Sequence, residues 1–363
     1  MWRRKGKGPS VCTVIGLWDC QLTLATESII RCTEVRVEKL FFVTSFYRFF
    51  PLAKPEELQQ KILNLRSQWH LNGLIILGTE GINATVCSVS QQGLDDFKIW
   101  LKAELAWENP CFKDSQSEVP PFLKLRIKIR EEIVTLKTPE LLPGQKNHHL
   151  SPEEWNHVLR EERDAIVIDT RNWYEYQLGT FKGAINPDIE QFTEFPKYMD
   201  EHQIQKNQKI LIFCTGGIRC EKGILELQRQ GYDQVFQLDG GILNYLNEKP
   251  NEEFEGECFV FDHRVALDQN LKPTKTYKLC PHCGQPASHR QQCVRCDRDF
   301  LVCDRCLPDP KNQNLCSKNC QHHHSLHPER KGNRQLRWYD PEHLEKAVAA
   351  QVKEALGEPS SNL

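Results

Sequence analysis

A cysteine, two glycines and an arginine lie close together in residues 213–223, which read FCTGGIRCEKG. The apolar run KILIF that leads into them predicts a buried strand, and the apolar spacing after them predicts a helix. A strand, a glycine-containing loop and a helix N-terminus direct backbone N–H groups to one point and favour negative charge there. The sequence therefore predicts that Cys214 is largely a thiolate and acts as a nucleophile, rather than a structural cysteine beside a turn.

The rest of the loop predicts how a substrate is held beside that thiolate. Arg219, which we assign to catalysis together with Cys214, either holds an incoming anion or supports the thiolate. The backbone that contacts the substrate belongs to Thr215, Gly216, Gly217 and Ile218. Cys220 is either a resolving thiol or a cysteine packed in the helix, and Lys222 either adds positive potential or is simply exposed.

Composition limits the class of protein and its compartment. The chain has 363 residues, 39% of them hydrophobic, and a formal net charge of −2, which is typical of two or three soluble domains. No apolar run is long enough to span a bilayer, so we predict no membrane association. Eight of the 16 cysteines lie in paired spacing between Cys280 and Cys320, which indicates metal binding in a reducing compartment. We therefore predict a cytoplasmic protein.

The first ordered region is predicted over residues 39–138, after an extension of uncertain order over residues 1–38. Its pattern of strands and amphipathic helices, β-α-β-β-α-β, predicts a ferredoxin-like α+β domain, with a strand pair over residues 122–136. Four basic residues in that pair point the same way because they share one parity: Lys124, Arg126, Lys128 and Arg130. We favour the solvent face of a half-buried sheet, with a stripe that follows RNA phosphates as the alternative.

A second domain is predicted over residues 150–256. Ser151 is the expected N-cap of its first helix, and Pro152 the first helical residue. The short apolar runs AIVIDTR, KILIFC and QVFQLDGG alternate with helical stretches, which predicts a parallel α/β sheet. Reactive residues in such sheets lie at the carboxyl ends of strands, where Cys214 falls.

A cysteine-rich module is predicted over residues 257–327, before a helical tail over residues 328–363. Its four pairs supply eight thiolates, enough for two structural zinc ions, with sequential or interleaved pairing. The candidate metal ligands are Cys280, Cys283, Cys293, Cys296, Cys303, Cys306, Cys316 and Cys320. A histidine from the set His322, His323, His324 and His327 is an alternative ligand, most simply in place of Cys320.

The second domain resembles the rhodanese family. The resemblance runs through VIDTRNWYEYQLGTFKGAINP, CTGGIR and LDGGILNY, and places Asp169, Arg171, Glu175, Gly183 and Ala184 in the family's first motif. It implies a cysteine that can carry sulfur as a persulfide, in a six-residue loop shorter than that of related phosphatases. We expect Asp169, Arg171 and Glu175 to brace the domain.

Three motifs together resemble the family of tRNA uridine hydroxylases: CTGGIRCEKG, EGINATV and FVFDHRVAL, within residues 42–267. This resemblance implies an acylphosphatase-like or ferredoxin-like domain followed by a rhodanese domain and the cysteine-rich module. It implies oxygen-dependent conversion of the wobble uridine to 5-hydroxyuridine, with tRNA rather than DNA as the partner and molecular oxygen as a co-substrate. A thiolate that adds to C6 of uracil would make C5 electron-rich, which gives Cys214 a covalent role.

The residues themselves indicate no centre that activates oxygen. There is no dinucleotide-binding fingerprint and no recognisable set of two histidines and one carboxylate, although His148, His149 and His263 are potential ligands. A sulfurtransferase that moves sulfane sulfur through a Cys214 persulfide is therefore the second hypothesis. A non-catalytic, zinc-stabilised binding protein is the third.

Overall fold

The computed structural model of the chain describes residues 40–144, 148–202, 204–312, 314–326 and 328. The predicted extension over residues 1–38, His327 and the predicted tail beyond Pro328 lie outside the described residues. No helix in the part of the chain that the structure describes is long and apolar enough to cross a membrane.

The N-terminal domain is a five-stranded sheet with two helices on one face. Its elements are β1 (Phe41–Phe49), α1 (Pro55–Leu65), β2 (Asn72–Gly78), β3 (Gly81–Ser88), α2 (Gln91–Glu104), β4 (Lys113–Ser117) and β5 (Leu125–Ile129). The strand order is β4-β1-β3-β2-β5, and all neighbours are antiparallel except β2 and β5. The first six elements confirm the predicted ferredoxin-like order.

Alternation along the strands gives this sheet two different faces. Ile75 and Ile82 pack against Ile62 of α1 and Phe97 of α2, so one face carries the apolar core of the domain. The opposite face, which we call the open face, turns towards the second domain. It includes Ser45, Tyr47, Leu74, Ile76, Asn83 and Thr85.

The predicted strand pair over residues 122–136 was wrong. Only β5 forms there, as an additional strand parallel to β2, and the following residues supply backbone donors instead. The N–H of Ile133 donates to Glu80, and that of Leu136 donates to Glu132. The last strand of the ferredoxin-like order is β4, whose polar sequence KDSQS has no apolar alternation by which it could be found.

The second domain confirms the predicted parallel α/β sheet. Its elements are β6 (His149–Leu150), α3 (Pro152–Glu161), β7 (Ile166–Asp169), α4 (Trp173–Leu178), β8 (Gly179–Phe181), α5 (Phe195–Glu201), β9 (Ile210–Phe213), α6 (Ile218–Arg229), β10 (Val235–Leu238) and α7 (Gly241–Glu248). The parallel strand order is β6-β10-β9-β7. Ser151 caps α3 as predicted, because its hydroxyl accepts from the Glu154 N–H.

Short strands and one helix make up the remainder of the described chain. They are β11 (Phe254–Gly256), β12 (Cys258–Phe259), β13 (Ala266–Leu267), β14 (Lys278–Leu279), β15 (Pro286–Ala287), β16 (His289–Gln292), β17 (Asp299–Val302) and α8 (Lys318–Leu326). Strand β11 pairs with β8 and extends the second domain. The segment between β12 and β13 returns to the N-terminal domain, where the Arg264 guanidinium donates to the Ser115 hydroxyl.

A buried ion triad joins the two α/β domains. Lys222 of α6 is fully buried, and its Nζ lies 2.8 Å from Glu80 and 2.6 Å from Glu132. Both predictions for Lys222 were therefore wrong. The residue is not exposed, and its charge is paired across the domain boundary instead of adding positive potential to the loop. Glu80 belongs to the EGIN motif in the β2–β3 turn, so this motif contributes to domain docking.

We expect Lys222→Ala to destabilise the protein by about 3–5 kcal/mol, because it leaves two carboxylates buried without their cation. Urea denaturation followed by tryptophan fluorescence measures this change. Lys182→Ala is the matched control, since Lys182 is about half exposed and lies 3.7 Å from Glu253. The control should cost less than about 1 kcal/mol. Equal effects of the two substitutions would contradict the structural importance of the triad.

Candidate active site

Cys214 lies where strand β9 ends and the loop to helix α6 begins. The Gly217 N–H donates to the Cys214 sulfur at 3.1 Å. Gly217 has φ of 96°, a backbone conformation that favours glycine, and a Cβ there would lie 2.9 Å from the Tyr47 hydroxyl. The N–H groups of Ile242 and Leu243 in α7 donate to the carbonyl groups of Cys214 and Thr215. The loop is therefore held from both sides with its donors turned towards the sulfur.

The surroundings of Cys214 favour its ionised form. Burial would by itself raise the pKa of the thiol, because a charged sulfur loses its hydration. A hydrogen bond from the Cys220 thiol, the positive charge of Arg219, and the N–H groups of Arg219 and Gly217 outweigh this effect. Together they lower the pKa of Cys214 to about 6. Cys214 is therefore mostly a thiolate at neutral pH, which is the reactive form of cysteine.

Arg219 is held by Glu175 in a buried, bidentate ion pair. Two guanidinium nitrogens donate to the two carboxylate oxygens, each at 2.8 Å. Glu175 also accepts from the Thr215 hydroxyl at 3.3 Å, so it orders the loop as well as the arginine. We predicted that Glu175 only braces the domain, and its direct contact with Arg219 corrects that interpretation. Because Glu175 occupies Arg219, the geometry favours support of the thiolate over capture of an anion.

Two other predicted residues of the rhodanese motif form a separate buried pair. Arg171 donates to Asp169 through Nη2 at 2.6 Å and through Nε at 2.9 Å. The Thr180 hydroxyl also donates to Asp169, and Arg171 reaches the Gly179 carbonyl. The pair braces the chain between β7 and β8, as the sequence predicted.

Cys220 is completely buried beside Cys214. Burial raises the pKa of Cys220 well above its usual value, and its hydrogen bond to Cys214 and the charge of Cys214 act in the same direction. Cys220 therefore stays protonated and donates to the neighbouring thiolate. Its sulfur also lies 3.7 Å from the Thr170 hydroxyl. The sequence predicted the position of this thiol in the first helical turn, but not its role as a donor.

A network that sequence reasoning missed connects this loop to the open face. The Tyr47 hydroxyl donates to Glu221 at 2.8 Å, and Glu221 also receives hydrogen bonds from His149 and Gln237. Burial raises the pKa of Tyr47 well above its usual value, and the charge of Glu221 adds to the effect. The tyrosine therefore remains a donor that bridges the two domains. The one sequence signal for this role is the alternation along β1, which points Tyr47 to the face opposite the core residue Phe46.

A cavity of about 590 Å³ opens in front of Cys214. One wall is the open face, a second is the reactive loop, and a third is the segment around Phe261, which is 60% exposed. Lys113 of β4 faces this space, and burial lowers the pKa of its amine. Of the predicted loop residues, Cys214, Thr215, Gly216, Ile218 and Arg219 line the cavity. The volume is of the size that holds a small organic molecule or a nucleobase.

The cysteine-rich module brings its eight thiols into two groups. One contains Cys280, Cys283, Cys303 and Cys306, and the other contains Cys293, Cys296, Cys316 and Cys320. The pairing is therefore interleaved, an alternative that the sequence had left open. Within each group the sulfur atoms lie within 4.8 Å of one another.

The described members of the predicted histidine set, His322, His323 and His324, do not join these groups. Among the residues that the structure describes, no histidine belongs to a cluster of three or more potential metal ligands. His149 instead contacts Glu221, and His148 Nδ1 lies 2.6 Å from the Val235 carbonyl oxygen. The fourth position of the second group is Cys320, without replacement by His322, His323 or His324.

Three family models match consecutive parts of the chain. A UPF0176 acylphosphatase like domain matches residues 41–133, a rhodanese-like domain matches residues 152–248, and a rhodanase C-terminal domain matches residues 255–321. These matches agree with the three predicted fold types in the predicted order.

Several relatives resemble the chain over most of its length. A protein of Bdellovibrio bacteriovorus is 52% identical over 297 residues, which are 82% of this chain and 85% of the relative. One of Prochlorococcus marinus is 40% identical over 280 residues, 74% of this chain and 89% of the relative. One of a Picosynechococcus species is 37% identical over 316 residues, 86% of this chain and all of the relative. Each of these relatives is named tRNA uridine(34) hydroxylase.

We expect the alkylation of Cys214 by iodoacetamide to increase as the pH rises through about 6, because the thiolate is the reacting form. Peptide mass spectrometry follows this cysteine separately from the others. Arg219→Gln should move the midpoint upwards by about one pH unit or more, because it removes a positive charge that favours the thiolate. Arg229→Gln, at the exposed end of the same helix, should leave the midpoint unchanged. A wild-type midpoint near that of an ordinary thiol would refute the thiolate assignment.

Proposed function

Because this chain belongs to the family of tRNA uridine(34) hydroxylases, we propose that it hydroxylates the wobble uridine of tRNA at C5 to give 5-hydroxyuridine. The observation that carries this proposal is the thiolate of Cys214 in a cavity whose walls come from both α/β domains and from the segment around Phe261. A plain sulfurtransferase needs only the reactive loop. The shared cavity is better suited to a larger substrate whose base enters between the domains.

Cys214 is the proposed nucleophile. Its thiolate adds to C6 of the uracil ring, the C5–C6 double bond breaks, and the electron pair passes to C5 and the O4 carbonyl. The electron-rich C5 then receives one oxygen atom. Loss of the C5 proton and departure of the thiolate from C6 restore the double bond and give the product. With molecular oxygen as co-substrate, the second oxygen atom becomes water and consumes two protons and two electrons from an external reductant.

The other residues of the site hold this chemistry in place. Arg219, fixed by Glu175, and the loop N–H groups stabilise Cys214 as the attacking and as the departing thiolate. Lys113 faces the same cavity, where a positive charge would offset the negative charge that develops on the ring. Thr215, Gly216, Gly217 and Ile218 form the proposed substrate-binding loop.

We also propose that each group of four cysteines holds one structural zinc ion. A tetrahedral zinc with bonds of about 2.3 Å places its sulfur ligands about 3.8 Å apart. The sulfur separations of 3.4 Å between Cys283 and Cys303, and of 3.5 Å between Cys296 and Cys316, are close to this value. The module has only small apolar clusters, so bound metal would supply much of its folding energy.

A reducing compartment fits both assignments. The 13 cysteines among the described residues are free thiols, and both the nucleophile and the metal ligands require reduced sulfur. We therefore propose that the protein acts in the cytoplasm, where its tRNA substrate is found.

Cys214→Ser should reduce formation of 5-hydroxyuridine by on the order of 10³-fold or more, because it removes the nucleophile. Nucleoside mass spectrometry of tRNA from a deletion strain that carries each variant measures the product. Cys111→Ser is the matched control, since Cys111 is exposed and lies outside the cavity lining. Full hydroxylation by Cys214→Ser would eliminate the covalent route. A wild-type protein that transfers sulfur from thiosulfate to cyanide and leaves tRNA unchanged would favour the sulfurtransferase.

The purified protein should contain two zinc ions per chain, measured by elemental analysis. Cys280→Ser with Cys303→Ser should lose one ion, because both residues belong to the same group. Cys280→Ser with Cys293→Ser should lose two, because these residues belong to different groups. The opposite result would indicate sequential pairing, and a protein without bound metal would overturn the zinc assignment.

A further inference from the structure

We infer that the open face of the N-terminal sheet and its basic edge strand β5 form the path along which the single-stranded anticodon loop reaches the cavity. This inference rests on the proposed function and extends it to the position of the RNA strand. It concerns the four basic side chains of residues 124–130, which we call the β5 stripe: Lys124, Arg126, Lys128 and Arg130.

The strand register places Arg126 and Lys128, the two members of the β5 stripe that lie within β5, on the same face as the cavity. Arg126 pairs with Leu74, and Lys128 pairs with Ile76, in the parallel β2–β5 ladder. Residues that pair across neighbouring strands point to the same face of a sheet. Leu74 and Ile76 both line the cavity in front of Cys214, so the stripe borders that cavity on the open face.

The same rows continue across the sheet to the reactive loop. Leu74 pairs with Thr85, and Thr85 pairs with Ser45, with their hydroxyl oxygens 2.9 Å apart. Ser45 pairs in turn with Lys113 at the opposite edge. A second row leads from Lys128 through Ile76 and Asn83 to Tyr47, which contacts the helix of the reactive loop. The two rows therefore connect the stripe to the wall that the open face contributes to the cavity in front of Cys214. A base that extends from an RNA backbone on the stripe would point along a row towards this cavity.

The charges of the stripe are available to phosphates. All four side chains belong to exposed residues. Within the described part of the chain, none of them forms an ion pair with a carboxylate, whereas Lys61, Lys98 and Arg160 each do. Alternate residues of a strand lie about 6.8 Å apart, similar to the spacing of adjacent phosphates along a nucleic-acid strand. The sheet edge therefore presents a row of cations that matches a phosphate backbone in sign and spacing.

The centre of the face favours an unpaired strand over a duplex. Leu74 and Ile76 are half-buried apolar side chains between the stripe and the reactive loop, and Phe261 stands exposed at the cavity. Unstacked bases bind to apolar and aromatic surfaces of this kind, while their phosphates follow a basic groove. A paired helix would present phosphates but no base faces. The anticodon loop, which holds the uridine to be modified, has the required unpaired bases.

The double substitution Arg126→Gln with Lys128→Gln tests the inference in the full-length protein. The matched control is Arg66→Gln with Lys102→Gln, which removes one arginine and one lysine from exposed positions on the helical side of the same domain. The probe is bulk tRNA purified from a strain that lacks the gene. Filter binding over a range of salt concentrations gives the affinity and its salt dependence, and nucleoside mass spectrometry gives the hydroxylation kinetics.

We expect the stripe variant to bind tRNA about 10-fold more weakly at ~0.15 M salt, with a log–log salt slope smaller by about 2. Its KM should rise while kcat at saturating tRNA stays near the wild-type value, because the stripe does not touch the reacting atoms. The control variant should match the wild type in both measurements. Single-stranded poly(U) should compete with tRNA more effectively than an RNA duplex of equal length.

Two outcomes would overturn the inference while leaving the proposed function intact. One is that the stripe variant binds tRNA with the affinity and salt slope of the control, while the wild-type protein hydroxylates tRNA. This result would leave the stripe as the charged, solvent-facing edge that discourages pairing with other sheets. The other is equal competition by duplex RNA, which would place a helix rather than a loop on this face. A wild-type protein that binds tRNA through the stripe but leaves it unmodified would instead count against the proposed function.

Discussion

A negative charge on a buried sulfur is the condition around which the rest of this site is arranged. Cys214 is only 1% exposed, so water stabilises its thiolate little and the protein supplies most of the favourable contacts that the charge receives. The Gly217 N–H, the Cys220 thiol and the Arg219 guanidinium provide these contacts. Arg219 is itself buried and would be unstable without Glu175, which explains why a carboxylate lies so close to a thiolate. Glu175 belongs to the first motif of the domain, and this contact accounts for its position.

The second constraint is that one wall of the cavity comes from another domain. Lys222, Glu80 and Glu132 fix the distance between α6 and the β2–β3 turn, while Tyr47 and Glu221 fix the orientation of β1 towards the loop. Both contacts start from α6, the helix that also carries Arg219 and Cys220. A displacement of the N-terminal domain would therefore act on the helix that controls the thiolate. Helix α6 therefore contributes both to the packing of the two domains and to the reactivity of Cys214.

Local sequence patterns predicted the features that depend on neighbouring residues in the chain. The apolar run before Cys214, the two glycines and the helix after them specify a strand, a loop and a helix, and all three are present. Capping by Ser151 was predicted for the same reason. Strand β4 was missed because its side chains are polar and its partner strand, β1, lies far away in sequence. The partners of Lys222 were missed because Glu80 lies 142 positions before it, at a distance that no spacing rule covers.

The site residues divide in the same way, into those that a local motif identifies and those that distant segments contribute. Cys214, Arg219 and the loop between them were identified because one local motif contains them all. Tyr47, Lys113 and Phe261 reach the cavity from three separate segments, and each looks ordinary in its own sequence context. The charge of the β5 stripe was visible in the sequence, but its position beside the cavity follows only from the parallel pairing of β5 with β2. Register and domain packing are long-range properties, so a single sequence does not reveal them.

The interleaved thiol groups have a consequence for synthesis of the chain. The first two pairs, which contain Cys280, Cys283, Cys293 and Cys296, leave the ribosome before either native group can be completed. These four thiols make a complete tetrahedral set for one zinc ion, but it is the wrong set. A nascent chain that captures zinc early must therefore exchange ligands once Cys303 and Cys306 emerge. If zinc binds as proposed, early zinc binding by the first four cysteines would be a kinetic trap of this topology. Zinc that binds only after all eight cysteines have emerged would favour the native pairing.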